Sequence, residues 1–142
     1  MAYVSLITLG VADLERATRF YEAMGWHRSS ASVEGVVTFL RGGTTVLSLF
    51  GREDLAAEAH LPPAAGDGAS FALAMNVASE AAVDEALATA ADAGGTITKA
   101  AERADWGGYS GYVADLDGHL WEIAHNPGFT LLPDGRVQLP DE

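Results

Sequence analysis

In ITLGVADLERATRFYEAMGW, residues 7–26, the hydrophobic period changes halfway along. Ile7 and Leu9 alternate with Thr8 and Gly10, which is the two-residue period of a strand. From Asp13 to Met24 the apolar residues Leu14, Ala17, Tyr21 and Met24 recur every three or four positions, one face of a helix. Asp13 can cap the start of that helix, Glu15 suits the positive end of its dipole, and Gly25 can stop it. A second helix reads the same way from about Ser79 to Ala93. Ser79 is the expected cap, Val83, Ala86, Leu87 and Ala90 form the apolar face, and Gly94-Gly95 ends it.

Each helix is preceded by a β-like run, SLITLGV (5–11) and SFALAMNV (70–77), and followed by others. These are VVTFLRG (36–42) and TTVLSLF (44–50) in the first half, and TITKA (96–100), YSGYVAD (109–115) and HLWEIA (119–124) in the second. Between the halves lies LPPAAGDG (61–68), a linker by composition. The implied order is βαβββ, linker, βαβββ, an internal duplication of architecture in an α+β chain. We expect one domain over residues 1–142: module one at about 3–60, linker at about 61–68, module two at about 69–127, and a C-terminal tail at 128–142.

Composition narrows the functional classes. The chain is 49% hydrophobic, yet no apolar run approaches the ~20 residues of a membrane span. With 8 Lys and Arg against 20 Asp and Glu, the net charge of −12 argues against nucleic acid or an anionic membrane as partner. A cationic ligand is compatible with such a surface. Cysteine is absent, which removes disulfides, thiolate metal sites and cysteine nucleophiles. With no export segment visible, the expectation is a cytoplasmic protein. No phosphate-binding glycine loop, nucleophile elbow or Ser-His-Asp set is present.

Two long stretches, ITLGVADLERATRFYEAMGW and WGGYSGYVADLDGHLWEIAHNP (106–127), resemble the opening and closing segments of the vicinal oxygen chelate superfamily. That group includes glyoxalase I, bleomycin-resistance proteins, fosfomycin-resistance enzymes and extradiol dioxygenases. The resemblance covers residues 3 to about 127. It implies two βαβββ modules whose mixed sheets curl into an open cup, usually completed in a homodimer. In metal-dependent members the ligands come from the first and last strand of each module. Carried over, those positions fall on Leu6, Ser48, Ala72 and Glu122. Leucine, serine and alanine cannot replace imidazole or carboxylate ligands. His27, His60, His119 and His125 fall in turns, the linker or the ends of elements. We therefore expect no metal and no other cofactor.

One carboxylate then calls for an explanation. In DLDGHLWEI (115–123) the Asp117-Gly118 turn feeds an apolar run with Glu122 in its middle. A metal ligand, a base, a ligand-binding group and a solvated surface residue are the four readings. Strand alternation separates two faces. One collects Ile7, Leu9, Leu47, Leu49, Phe71, Leu73, Met75, Trp121 and Ile123, an apolar set that buries against the helices. The other carries Leu6, Thr8, Val46, Ser48, Phe50, Ala72, Ala74, Asn76, Leu120, Glu122 and Ala124. Solvent exposure of that second face would leave several large apolar side chains bare, so a partly wet cavity or a dimer seam suits it better. Trp106, Tyr109 and Tyr112 lie beside paired glycines, where rings can stack on a ligand or fill contacts of the fold. The expected ligand-binding set is Thr8, Ser48, Phe50, Asn76, Trp106, Tyr109, Tyr112 and Glu122. Two functions remain: a metal-independent protein holding a small organic molecule, or a superfamily enzyme (lyase, isomerase or dioxygenase type), with Glu122 as catalytic base or with a metal.

Overall fold

Strand β1 (Leu6–Val11) passes through Ala12 and Asp13 into helix α1 (Leu14–Ala23). The computed structural model describes residues 4, 6–58, 60 and 72–138. The expected linker at 61–68 and Phe71 lie outside them. Asp13 caps α1 by accepting from the Arg16 amide at 2.9 Å, and Gly25, at φ +100°, leaves the helix in the conformation that favours glycine. Strands β2 (His27–Arg28), β3 (Val37–Gly42) and β4 (Thr45–Gly51) follow, then a short helix α2 (Arg52–Glu58). The sheet order is β1-β4-β3-β2, with β1 and β4 parallel and the other pairs antiparallel.

The second half repeats this plan. Strand β5 (Leu73–Asn76) leads to helix α3 (Glu80–Asp92), capped by the Ser79 hydroxyl accepting from the Ala82 amide at 3.1 Å. Strands β6 (Thr96–Arg103), β7 (Tyr109–Ala114) and β8 (Leu120–His125) complete a sheet of order β5-β8-β7-β6, again with its first and last strands parallel. The chain divides into two compact units, Met1–Ala69 and Ser70–Glu142. The expected α+β class and the eight main strands are thus both present. No helix among the described residues is long and apolar enough to cross a membrane.

Three elements differ from the sequence reading. Helix α2 went unread because REDLAAE offers no apolar stripe, and none of its residues is buried. Strand β2 is only two residues long. Beyond it the Ser32 hydroxyl accepts from the Phe39 amide at 2.9 Å, so a side chain continues the strand's role. Residues expected to be a tail contain a small hairpin, β9 (Thr130–Leu131) with β10 (Val137–Gln138), turned by Pro133-Asp134-Gly135.

Burial follows the alternation. Leu9, Leu47 and Leu49 are buried with Leu40, Ala17, Phe20 and Tyr21 in the first unit. Trp121 and Ile123 are buried with Val113, Val83, Leu87 and Ala90 in the second. Full burial of one such leucine contributes about 1.5–3 kcal/mol. Thr18 is fully buried in α1. Its hydroxyl lies 2.7 Å from the Leu14 carbonyl and 2.9 Å from the Thr38 hydroxyl, so helix and sheet share one satisfied polar contact.

The β7–β8 turn is held by Asp115, a buried carboxylate. Its Oδ1 accepts from the amides of Asp117 at 2.9 Å and His119 at 2.8 Å, while Oδ2 lies 2.8 Å from His119 Nδ1. A carboxylate only accepts, so Nδ1 carries the proton. This bond raises the His119 pKa above its ordinary 6.5, with burial working the other way and the charges of Asp115 and Asp117 adding to the rise. A raised folded pKa means the pair's contribution is complete below 6.5 and is lost as pH rises through the higher folded value. Thermal unfolding should therefore show wild type more stable than His119→Gln at acid pH, with the difference shrinking above 6.5. A pH-independent difference would contradict this reading.

Gly111 supports a second expectation. A Cβ there would lie 2.7 Å from Leu87 Cδ1 and 3.0 Å from the backbone of Lys99 and Ala101. Helix α3 can approach β7 this closely only over glycine. Gly111→Ala should cost about 1–3 kcal/mol by overpacking in urea denaturation. An unchanged midpoint would mean that α3 can lift without cost.

Candidate functional site

Glu122 lies in β8 on the face of the second sheet that turns away from α3, because its neighbours Trp121 and Ile123 are buried against that helix. Ala74 of β5 stands beside it on one side and Tyr112 of β7 on the other. The Tyr112 hydroxyl donates to Glu122 Oε2 at 3.1 Å. On the alanine side only a methyl group is present, and the carboxylate makes no other hydrogen bond among the described residues. Glu122 is half-buried, as are Leu120 and Ala124 along the same face. The donor that a partly desolvated carboxylate requires is therefore Tyr112.

Tyr112 is held above the ordinary tyrosine value of 10.0. The Glu122 charge is the main cause, followed by the bond donated to Glu122 and by burial, with Lys99 opposing. At neutral pH the phenol is thus a fixed donor. Lys99 is the register neighbour of Tyr112 on β6, and its ammonium lies 3.1 Å from Glu102. One step along the sheet, Asn76 and Ser110 flank Ala124. Asn76 is half-buried, and its amide makes no hydrogen bond among the described residues.

Of the expected ligand-binding residues, the second sheet brings Asn76, Tyr112 and Glu122 onto one face. Tyr109 must be corrected. Three positions from Tyr112, it takes the opposite face, and its hydroxyl donates to Asp84 of α3 at 2.6 Å. Nearby, Arg103 makes two bonds to Glu80, at 2.6 and 3.2 Å, and these hold the Glu80 carboxyl below its usual value. Trp106 sits in the turn between β6 and β7 and is 68% exposed, outside the strand ladder that carries Glu122. In the first sheet Thr8 and Ser48 are register neighbours across the parallel pair, and Phe50 lies two residues beyond Ser48 on the same face. Lys99 escaped the sequence reading because two register shifts in β6 hide which residues share a face with Tyr112.

The four positions that resemblance assigns to metal ligands do not form a donor set. Leu6 and Ala72 have no lone pair to offer, Ser48 has a neutral hydroxyl, and only Glu122 is a carboxylate. The register also places Ala74, not Ala72, directly beside Glu122, and Thr8, not Leu6, beside Ser48. Among the described residues, no three His, Cys, Asp or Glu side chains are grouped closely enough to hold an ion.

With this geometry in place, similarity to known proteins becomes informative. A glyoxalase-related enzyme from Fulvimarina pelagi has a solved structure that matches with TM-score 0.88 and 36% identity, over 98% of this chain and 99% of that one. A glyoxalase/bleomycin resistance protein/dioxygenase family enzyme from Burkholderia phytofirmans PsJN matches with TM-score 0.77 and 20% identity, over 85% of this chain and 96% of the other, and shows the fold alone. No curated protein matches the sequence. The family model of the Glyoxalase/Bleomycin resistance protein/Dioxygenase superfamily matches residues 3–123, and the chain belongs to that superfamily.

Proposed function

We propose that the chain acts as one domain and binds a small organic molecule without a metal, at a site centred on Glu122. The observation that carries this reading is the Glu122 carboxylate itself, half-buried, fixed on one side by the Tyr112 hydroxyl and flanked on the other only by the Ala74 methyl group. Such a group pairs with an ammonium or amide donor of a ligand. The Asn76 amide next along the face, without a hydrogen bond among the described residues, can supply or accept a further bond. A cationic or amide-bearing ligand is the class this chemistry selects. The reading includes a cytoplasmic homodimer, supported by Leu6 lying 43% exposed on the outer face of the first sheet. Light scattering that finds a monomer would remove that element.

A second reading is supported by the similarity to a protein described as a glyoxalase-related enzyme. In it Glu122 takes a proton from an acidic carbon or hydroxyl of the substrate and gives it back at another atom of the same molecule, while the bond donated by Tyr112 holds the carboxylate in place. Turnover that disappears in Glu122→Gln, with binding retained, selects this reading over simple sequestration.

Binding can be screened by thermal shift against small amines and amides. The best ligand should bind Glu122→Gln about tenfold to a hundredfold more weakly, the loss of one charge-assisted hydrogen bond. Unfolding of the same variant should show stability unchanged or raised, since a half-buried charge is gone. Equal affinity in wild type and variant would end the proposal. A separate check reads Tyr112 directly. Removing the Glu122 charge should let Tyr112 ionise closer to 10.0, at lower pH than in wild type, in tyrosinate absorbance. An unmoved titration would show that the two groups do not interact.

A further inference from the structure

Three aspartates in the chain are followed by glycine: Asp67, Asp117 and Asp134. The first lies outside the described residues. The other two occupy turns of the same build. In the turn 115–118 the Gly118 amide donates to the Asp115 carbonyl at 3.2 Å, and in the turn 132–135 the Gly135 amide donates to the Leu132 carbonyl at 2.9 Å. Both glycines have positive φ, +87° and +91°, and a Cβ on either would meet nothing within 4 Å. An Asp-Gly step is chemically weak because glycine has no side chain to shield its amide nitrogen from the aspartate carboxyl. Local sequence treats the two steps alike, so the surroundings of each carboxyl must separate them.

Asp134 is held in its ionised form. Its Oδ1 accepts from the Arg136 amide at 3.0 Å and its Oδ2 from Arg136 Nε at 2.8 Å. The bond from the Arg136 amide is the main cause that keeps this carboxyl below its usual 3.8, and the Arg136 side chain adds to it against desolvation. A carboxylate so bound is a poor electrophile, and both of its oxygens are engaged with Arg136. The turn around Asp117, DLDGH, contains no arginine or lysine. The titratable side chain that feels the Asp117 charge there is His119, and a protonated imidazole can supply the proton that a departing hydroxyl needs.

We propose that Asp117 is a site of spontaneous isoaspartate formation, and that this change disables the β7–β8 turn. The Gly118 nitrogen attacks Asp117 Cγ and a C–N bond forms, while the proton of that nitrogen and the carboxyl hydroxyl leave as water. Water then adds to the Asp117 main-chain carbonyl carbon of the cyclic imide and breaks its bond to the Gly118 nitrogen. The chain now runs through Cβ and Cγ, one atom longer, with a free α-carboxylate. One water is lost and one gained, so the mass is unchanged. A longer backbone between residues 117 and 118 conflicts with Asp115, whose Oδ1 spans the amides of Asp117 and His119. It also alters the link between Ala114 and Leu120, the pair at which the β7–β8 ladder starts on its way to Tyr112 and Glu122.

The full chain tests this when it is aged for weeks in warm, mildly acidic buffer and read by peptide mapping, with an isoaspartate-specific methyltransferase as label. Isoaspartate should accumulate at residue 117 severalfold faster than at residue 134. Arg136→Gln releases the Asp134 side chain from its guanidinium and should narrow the gap by speeding residue 134. Asp117→Glu keeps the charge but cannot close the same ring, and its residue 117 should stay unmodified. Isomerised chain, separated by ion exchange, should ionise Tyr112 closer to 10.0 than fresh chain does, because the bond to Glu122 has loosened. Aged Asp117→Glu should titrate like fresh protein. The proposal is overturned if residue 117 stays unmodified, or if residue 134 changes as fast. It is also overturned if the isomerised chain shows an unmoved Tyr112 titration, since the turn would then tolerate the longer backbone.

Discussion

Parallel pairing of the first strand of each module with its last is the constraint from which the rest follows. It joins β1 to β4 and β5 to β8, and so brings Leu6 level with Val46 and Leu73 level with Trp121, residues far apart in the chain. Because each pair sits under a helix, one parity must be apolar, and Leu9, Leu49, Trp121 and Ile123 fill it. The other parity is thereby released from core packing. Both groups with chemical interest occupy that released parity at the same strand pair, Thr8 with Ser48 in one unit and Ala74 with Glu122 in the other. A single architectural rule has been filled with two different chemistries.

The difference between those fillings is electrostatic as much as steric. Around Glu122 a carboxylate is paired with a phenol, and the phenol is kept neutral largely by that carboxylate's charge. In the first sheet Ser48 is flanked by Thr8 and Phe39, and among the described residues Arg41 and Arg52 form no ion pair. An acidic protein with a net charge of −12 keeps its free cations scarce, so their location carries more information than that of its many acids.

Much of this was legible in the sequence. Helices α1 and α3 start and stop within a residue of the expected positions, because Asp13, Ser79, Gly25 and Gly94 are local signals that act on the neighbouring backbone alone. The facing of Glu122 was also legible, since alternation is rigid within an unbroken strand. Reading failed where one element depends on another. Helix α2 has no stripe of its own and lies over the sheet at Gly10. The continuation of β2 is a hydroxyl of Ser32, which no strand pattern announces. Tyr109 was grouped with Tyr112 although an odd separation puts them on opposite faces, and Asp84 then claims its hydroxyl. The partnership of Lys99 with Tyr112 depends on two register shifts in β6, which no pattern of the strand's own residues announces.

The brevity of β2 bears on how this protein avoids edge-to-edge aggregation. An edge strand presents unpaired amides and carbonyls to any other strand that drifts by, and long flat edges seed aggregation. Here the outermost strand of the first sheet exposes only two residues of ladder before Ser32 turns its hydroxyl to Phe39. The corresponding edge of the second sheet, β6, is eight residues long, but it is bent by two register shifts and carries Lys99, Glu102 and Arg103. One edge is too short to serve as a template and the other too irregular and too charged. The two sheets thus reach the same colloidal end by separate means, and crowding at high concentration should find no straight strand on either of these edges to extend.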